Sequence, residues 1–116
     1  KELDFPFSDA TIVNNVIYVA GQVGNLPGNT KVVPGGIKEE TKQTMKNIER
    51  ILVALGSSMD KVFKCTCMLL DISEWAEMSE EYKKFFAMDK RPARSAFAGS
   101  GLALGAKIEI ECWAIR

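Results

Sequence analysis

Arg94 is the first residue in the chain whose type and setting could do chemistry. It stands in the run Arg91-Pro92-Ala93-Arg94-Ser95, followed by Ala96-Phe97-Ala98. Pro92 holds the local backbone extended, so the arginine enters a short strand of small and apolar residues. A guanidinium placed there is costly to bury unless it meets an anion. Its planar fork suits a carboxylate held through two parallel hydrogen bonds. Taken alone, an ordinary ion-paired arginine at a strand start is the commoner outcome. Glu109 and Glu111 form the second candidate group. Two residues apart on a strand, they point to the same face, and a solvated face is the simplest account of them. A glutamate partly withdrawn from water, however, has a raised pKa and can exchange protons near neutrality.

The absence of histidine from the chain is equally informative. It removes the central residue of a Ser-His-Asp triad, a Cys-His pair, a histidine-based ribonuclease and a His-ligated metal site. Cys65, Cys67 and Cys112 are few and odd in number, which points to reduced, buried thiols in a cytoplasmic setting rather than a disulfide scaffold. Two sulfurs at Cys65 and Cys67 make a poor metal site. The glycine-rich stretch 24–36 lacks a P-loop Lys-Ser/Thr and a dinucleotide fingerprint. Fifteen basic and fifteen acidic side chains give no net charge, hence no global field to attract nucleic acid. No apolar run approaches the ~20 residues of a membrane span, and no signal peptide is visible, although an organellar leader ahead of Lys1 stays open.

The elements that must position these side chains follow from periodicity. Thr11–Val13 and Val16–Ala20 are β-rich runs joined by Asn14-Asn15, a tight hairpin turn. Residues 24–36 are loop. Met45, Ile48, Ile51, Leu52 and Leu55 share one face of a helix from Ile37 to Leu55, stopped by Gly56. Val62–Leu70 reads as a central strand. Asp71 or Ser73 caps a second helix with Trp75, Met78, Tyr82, Phe85 and Phe86 as its apolar stripe. Ser95–Ala98 is a short strand. Lys107–Ile115 alternates, with Ile108, Ile110, Cys112 and Ala114 on one face and Glu109, Glu111, Trp113 and Ile115 on the other. The order β-β-α-β-α-β-β in 116 residues predicts one α+β domain with both helices on one face of a mixed sheet. Trp113 and Ile115 on the other face call for a subunit partner.

Taken together, these segments resemble the RidA/YjgF family, also known as L-PSP endoribonuclease-like. The resemblance runs through Pro6-Phe7-Ser8, Val19-Ala20-Gly21-Gln22, Gln43-Thr44-Met45-Lys46-Asn47-Ile48, Leu70-Asp71 before Trp75, Tyr82 with Phe85-Phe86, Pro92-Ala93-Arg94-Ser95 and Lys107-Ile108-Glu109-Ile110-Glu111. It implies a chorismate-mutase-like subunit, a homotrimer with a barrel-like centre, and clefts between subunits. It also implies cofactor-free hydrolysis of 2-imino acids or their enamines to 2-oxo acids and ammonia. Arg94 would then anchor the carboxylate and Glu109 would assist water and proton transfer, with Ala96 offering backbone hydrogen bonds to the reacting end. Phe7, Ala20, Gly21 and Ser79 would line the pocket. Here Phe7 replaces a common Tyr, Ala20 a common Ser and Ser79 a common Asn, while Leu102-Ala103 replaces Leu-Pro. The thinner polar lining leaves open a non-catalytic module that binds 2-oxo acids. A ribonuclease or translation inhibitor fits less well, given the balanced charge and the missing histidine.

Overall fold

The computed structural model describes residues 5–116. Five strands form one sheet in the order β1-β2-β5-β3-β4. They are β1 Ala10–Val13, β2 Val16–Val19, β3 Val62–Leu69, β4 Ala93–Ala98 and β5 Ile108–Ile115, with helices α1 Ile37–Ala54 and α2 Trp75–Lys83 between them. The predicted element order and the α+β class are therefore observed, with strand ends shifted by one or two residues. Asn14 and Asn15 take φ of 49° and 70°, the two positive values that a tight hairpin turn demands. Gly56, at φ 83°, follows α1 and ends it as a left-handed stop. β3 and β4 are parallel and joined through α2, while all other pairings are antiparallel.

Both helices cover one sheet face. Met45, Ile48 and Leu52 of α1 are fully buried against Ile17, Cys67, Leu69, Ile108 and Ile110. Two polar side chains of α1 fix the surrounding chain. Asn47 donates to the carbonyls of Val23 and Asn25, which pins the loop after β2. The Glu40 carboxylate accepts from the Lys107 N–H at 2.8 Å and so ties α1 to the start of β5. The other sheet face has no helix. Tyr18, Trp113 and Phe63 cluster on it edge to face.

Two expectations need correction. Cys65 and Cys112 lie directly opposite in the β3–β5 register and are joined by a disulfide with a Cα separation of 4.2 Å. Cys67 alone is a free, buried thiol. The partners are 47 residues apart, so only strand pairing could reveal them, and the argument from reduced thiols to a cytoplasmic setting loses this support. The α2 stripe also differs. Met78 and Tyr82 are buried, but Trp75 is 46% exposed. Phe85 and Phe86 lie past the helix end at Lys83. Asp71 does cap, accepting from the Ser73 N–H, but it opens a short 3-10 turn that leads into α2. Among the described residues no helix is long and apolar enough to cross a membrane.

Candidate active site

Arg94 lies on β4, the edge strand, in register with Cys65 of β3. Paired residues share a sheet face, so its side chain turns toward α2. Trp75, Met78, Ser79 and Tyr82 sit at helical spacings of three and four and form the α2 face above it. The guanidinium carbon is 4.9 Å from the Tyr82 ring centre and 5.2 Å from that of Trp75. Arg94 Nη1 approaches Met78 Sδ at 3.9 Å. Every ion pair among the described residues involves other side chains, so this guanidinium has no carboxylate partner among them. Ala96 is two residues on, half-buried on the same face and opposite Cys67. The hydroxyls of Ser79 and Tyr82 are buried without a hydrogen-bond partner among the described residues. Burial pushes the Cys67 thiol up to about 12 despite the opposing influence of Arg94. Burial also raises Tyr82, with Cys67 adding to the shift and Arg94 opposing it.

Glu109 belongs to a different region. On β5 it pairs with Met68, one residue out of phase with the buried Ile108 and Ile110, and so projects from the helix-free face. Loss of water raises its pKa above that of an ordinary glutamate. The neighbouring Glu111 adds to this, and a hydrogen bond from the Ala103 backbone opposes it. Gly21 lies so close to this carboxylate that a Cβ there would collide with Glu109 Oε2. The absent side chain is what lets the carboxylate lie flat against the chain. Glu109, Gly21 and Phe7 line one cavity of about 820 Å³ with Leu104, Arg50 and Ile51. Ala20 lines a shallower neighbour with Phe7, Tyr18, Glu111 and Trp113.

The predicted residues thus fall into two groups. Arg94, Ala96 and Ser79 gather under α2, and Phe7, Ala20, Gly21 and Glu109 gather on the other side of the sheet. Arg94 and Glu109 are two strands and three residues apart in register. At ordinary strand spacing and rise, this separates their Cα atoms by about 14 Å, with the side chains on opposite faces. Sequence reasoning placed Trp75 and Tyr82 in the core stripe: Tyr82 is indeed in the core, but neither was predicted to flank Arg94. It also missed the Ala103 backbone and Leu104, whose φ of 58° shapes the turn beside Glu109. Aromatic residues seven apart on a helix signal a buried stripe and a cation platform equally well. Among the described residues no three His, Cys, Asp or Glu side chains converge to hold a metal ion.

Residues 2–116 match the family model described as Endoribonuclease L-PSP. The 2-iminobutanoate/2-iminopropanoate deaminase of Rattus norvegicus is 41% identical over 95% of this chain and 80% of its own. The Homo sapiens protein of the same name is 40% identical over 96% of this chain and 80% of its own. Among solved structures, RidA from an Antarctic Psychrobacter superposes with a TM-score of 0.90 at 30% identity, covering 97% of this chain and 89% of that one. Yeast Mmf1 gives 0.91 at 33% identity, covering 98% and 90%.

Proposed function

This chain belongs to the Endoribonuclease L-PSP (RidA/YjgF) family, and from that premise we propose that it hydrolyses 2-imino acids, or their enamine tautomers, to 2-oxo acids and ammonia. The observation that carries the reading is Arg94, a guanidinium without a carboxylate partner among the described residues, held by two aromatic rings at a sheet edge. Such a group is ready for the planar carboxylate of an imino acid. With the substrate anchored, water adds to the electrophilic carbon of the C=N bond. Glu109 takes a proton from that water as it adds and passes it to nitrogen, giving a carbinolamine; a second transfer, of the carbinolamine hydroxyl proton to nitrogen, lets ammonia leave as the C–N bond breaks and the carbonyl forms. The raised pKa of Glu109 suits both roles. Ala96 offers backbone hydrogen bonds, and Phe7, Ala20, Gly21 and Ser79 shape the walls. No step needs a cofactor. Positioning one water and one reactive substrate can supply much of the acceleration.

The separation of Arg94 from Glu109 supports a site built from two copies of the chain, the arginine of one facing the glutamate of the next. A homotrimer with clefts between subunits provides this arrangement, and the aromatic, helix-free sheet face supports such packing. The test is ammonia release from imines generated in situ, comparing the parent, Arg94→Ala and Glu109→Gln. Both variants are expected to fold and to lose the acceleration. If Arg94→Ala hydrolyses imines as well as the parent, the assignment is wrong. The apolar Phe7 and Ala20 favour one second reading, a module that binds 2-oxo acids without turnover. Calorimetric binding of 2-oxobutanoate by a parent that releases no ammonia would establish it.

A further inference from the structure

We infer that Trp75 is a positioning residue for the carboxylate site: together with Tyr82 it forms an aromatic clamp that orients the Arg94 guanidinium without neutralising it. The inference rests on the reading of Arg94 as the substrate anchor. An arginine at a strand edge has several rotatable bonds, and fixing it costs side-chain entropy. The usual device is a neighbouring Asp or Glu that accepts from the guanidinium. In a carboxylate site that device competes with the substrate, because an internal carboxylate takes up N–H donors and offsets the charge that must attract the ligand. An aromatic face attracts the cation through its quadrupole while leaving the in-plane N–H groups unpaired.

The geometry has these features. Both ring centres lie about 5 Å from the guanidinium carbon, and of the three acidic side chains of α2, Glu77, Glu80 and Glu81, the last two pair with Lys83 and Lys84. The only side-chain acceptor for Arg94 among the described residues is the soft Met78 sulfur at 3.9 Å, a weak one. Trp75 is 46% exposed, a poor use of a large aromatic ring if its purpose were core packing. Tyr82 is buried and serves both the core and the clamp.

The experiment uses the full chain with Trp75→Leu, Trp75→Phe and Trp75→Glu, and reads KM and kcat for imine hydrolysis together with the calorimetric Kd for 2-oxobutanoate. Trp75→Leu keeps apolar bulk but removes the ring, and is expected to raise KM and Kd about tenfold while kcat stays within about twofold. Trp75→Phe restores a π face and returns both constants to within about threefold of the parent. Trp75→Glu places a competing carboxylate beside the fork and weakens binding more than Trp75→Leu, by about 100-fold. Because the residue is exposed, all three are expected to melt close to the parent, and thermal melts check this. Parent-like KM and Kd in Trp75→Leu, or a Trp75→Phe no better than Trp75→Leu, overturns the clamp while leaving the function of Arg94 intact. An Arg94→Ala variant with parent-like turnover and binding overturns both readings.

Discussion

The two faces of the sheet treat charge in opposite ways. Under α2, Arg94 keeps its cation available because its neighbours are rings and a thioether rather than acids. On the helix-free face, Glu109 is made reluctant to ionise by loss of water and by Glu111. Among the described residues, one region holds a positive charge without a carboxylate partner, and the other holds a carboxyl group whose pKa is raised above that of an ordinary glutamate. Arg94 and Glu109 lie on opposite faces of the sheet. The difference supports the proposal that a single copy of the chain carries two half-sites, which a second copy would complete.

Breaking the arginine half has the largest expected effect. Arg94→Ala should lower kcat/KM by about 100-fold, the loss of a charge-assisted bidentate contact, with little change in melting temperature because no ion pair is lost. Mixing then sharpens the comparison. Co-expressed Arg94→Ala and Glu109→Gln chains should regain part of the parent activity if each site draws on two copies. Activity no higher in the mixture than in either variant alone would place the whole site within one chain.

The glutamate half comes next. Glu109→Gln should cost about 10- to 100-fold in kcat. In the parent, activity should fall with acid as Glu109 takes up a proton, along a limb lying above the 4.5 of an ordinary glutamate. That limb should vanish in Glu109→Gln, and a pH–rate profile decides the point. A smaller effect is expected from Gly21→Ala. Its new Cβ displaces the Glu109 carboxylate, so kcat should fall about tenfold. The affinity for 2-oxobutanoate, set chiefly on the Arg94 side, should change less than kcat in calorimetry.

The smallest effect is on stability. A carboxyl whose folded pKa is raised costs the fold stability once pH rises through the unfolded and then the folded pKa. Glu109→Gln should therefore raise the melting temperature slightly at pH 7, by about 2 °C or less for a group only partly buried, and not at pH 3. A larger gain at pH 3 than at pH 7 would contradict the direction of the shift.

Much of the architecture was legible because local rules and tertiary packing agree. The Asn14-Asn15 turn, the α1 face of Met45, Ile48 and Leu52, and the alternation along β5 each report a period that the core then uses. The boundaries moved where a local rule was incomplete. The run Asp71 to Glu74 forms a cap and a 3-10 turn before α2, and the helix stops before Phe85 and Phe86.

The sequence by itself determined the element order, the placement of Arg94 behind Pro92 at a strand start, and the outward phase of Glu109 along its strand. These depend on neighbours within a few residues, where sterics and side-chain alternation act directly. Only the tertiary structure decided that Cys65 meets Cys112, that Trp75 leaves the core stripe to flank Arg94, and that Arg94 and Glu109 face away from each other. Each of these depends on strand order and on how a helix seats over a particular strand. Contacts between residues tens of positions apart are set by the packing of the whole sheet, and no local pattern encodes them.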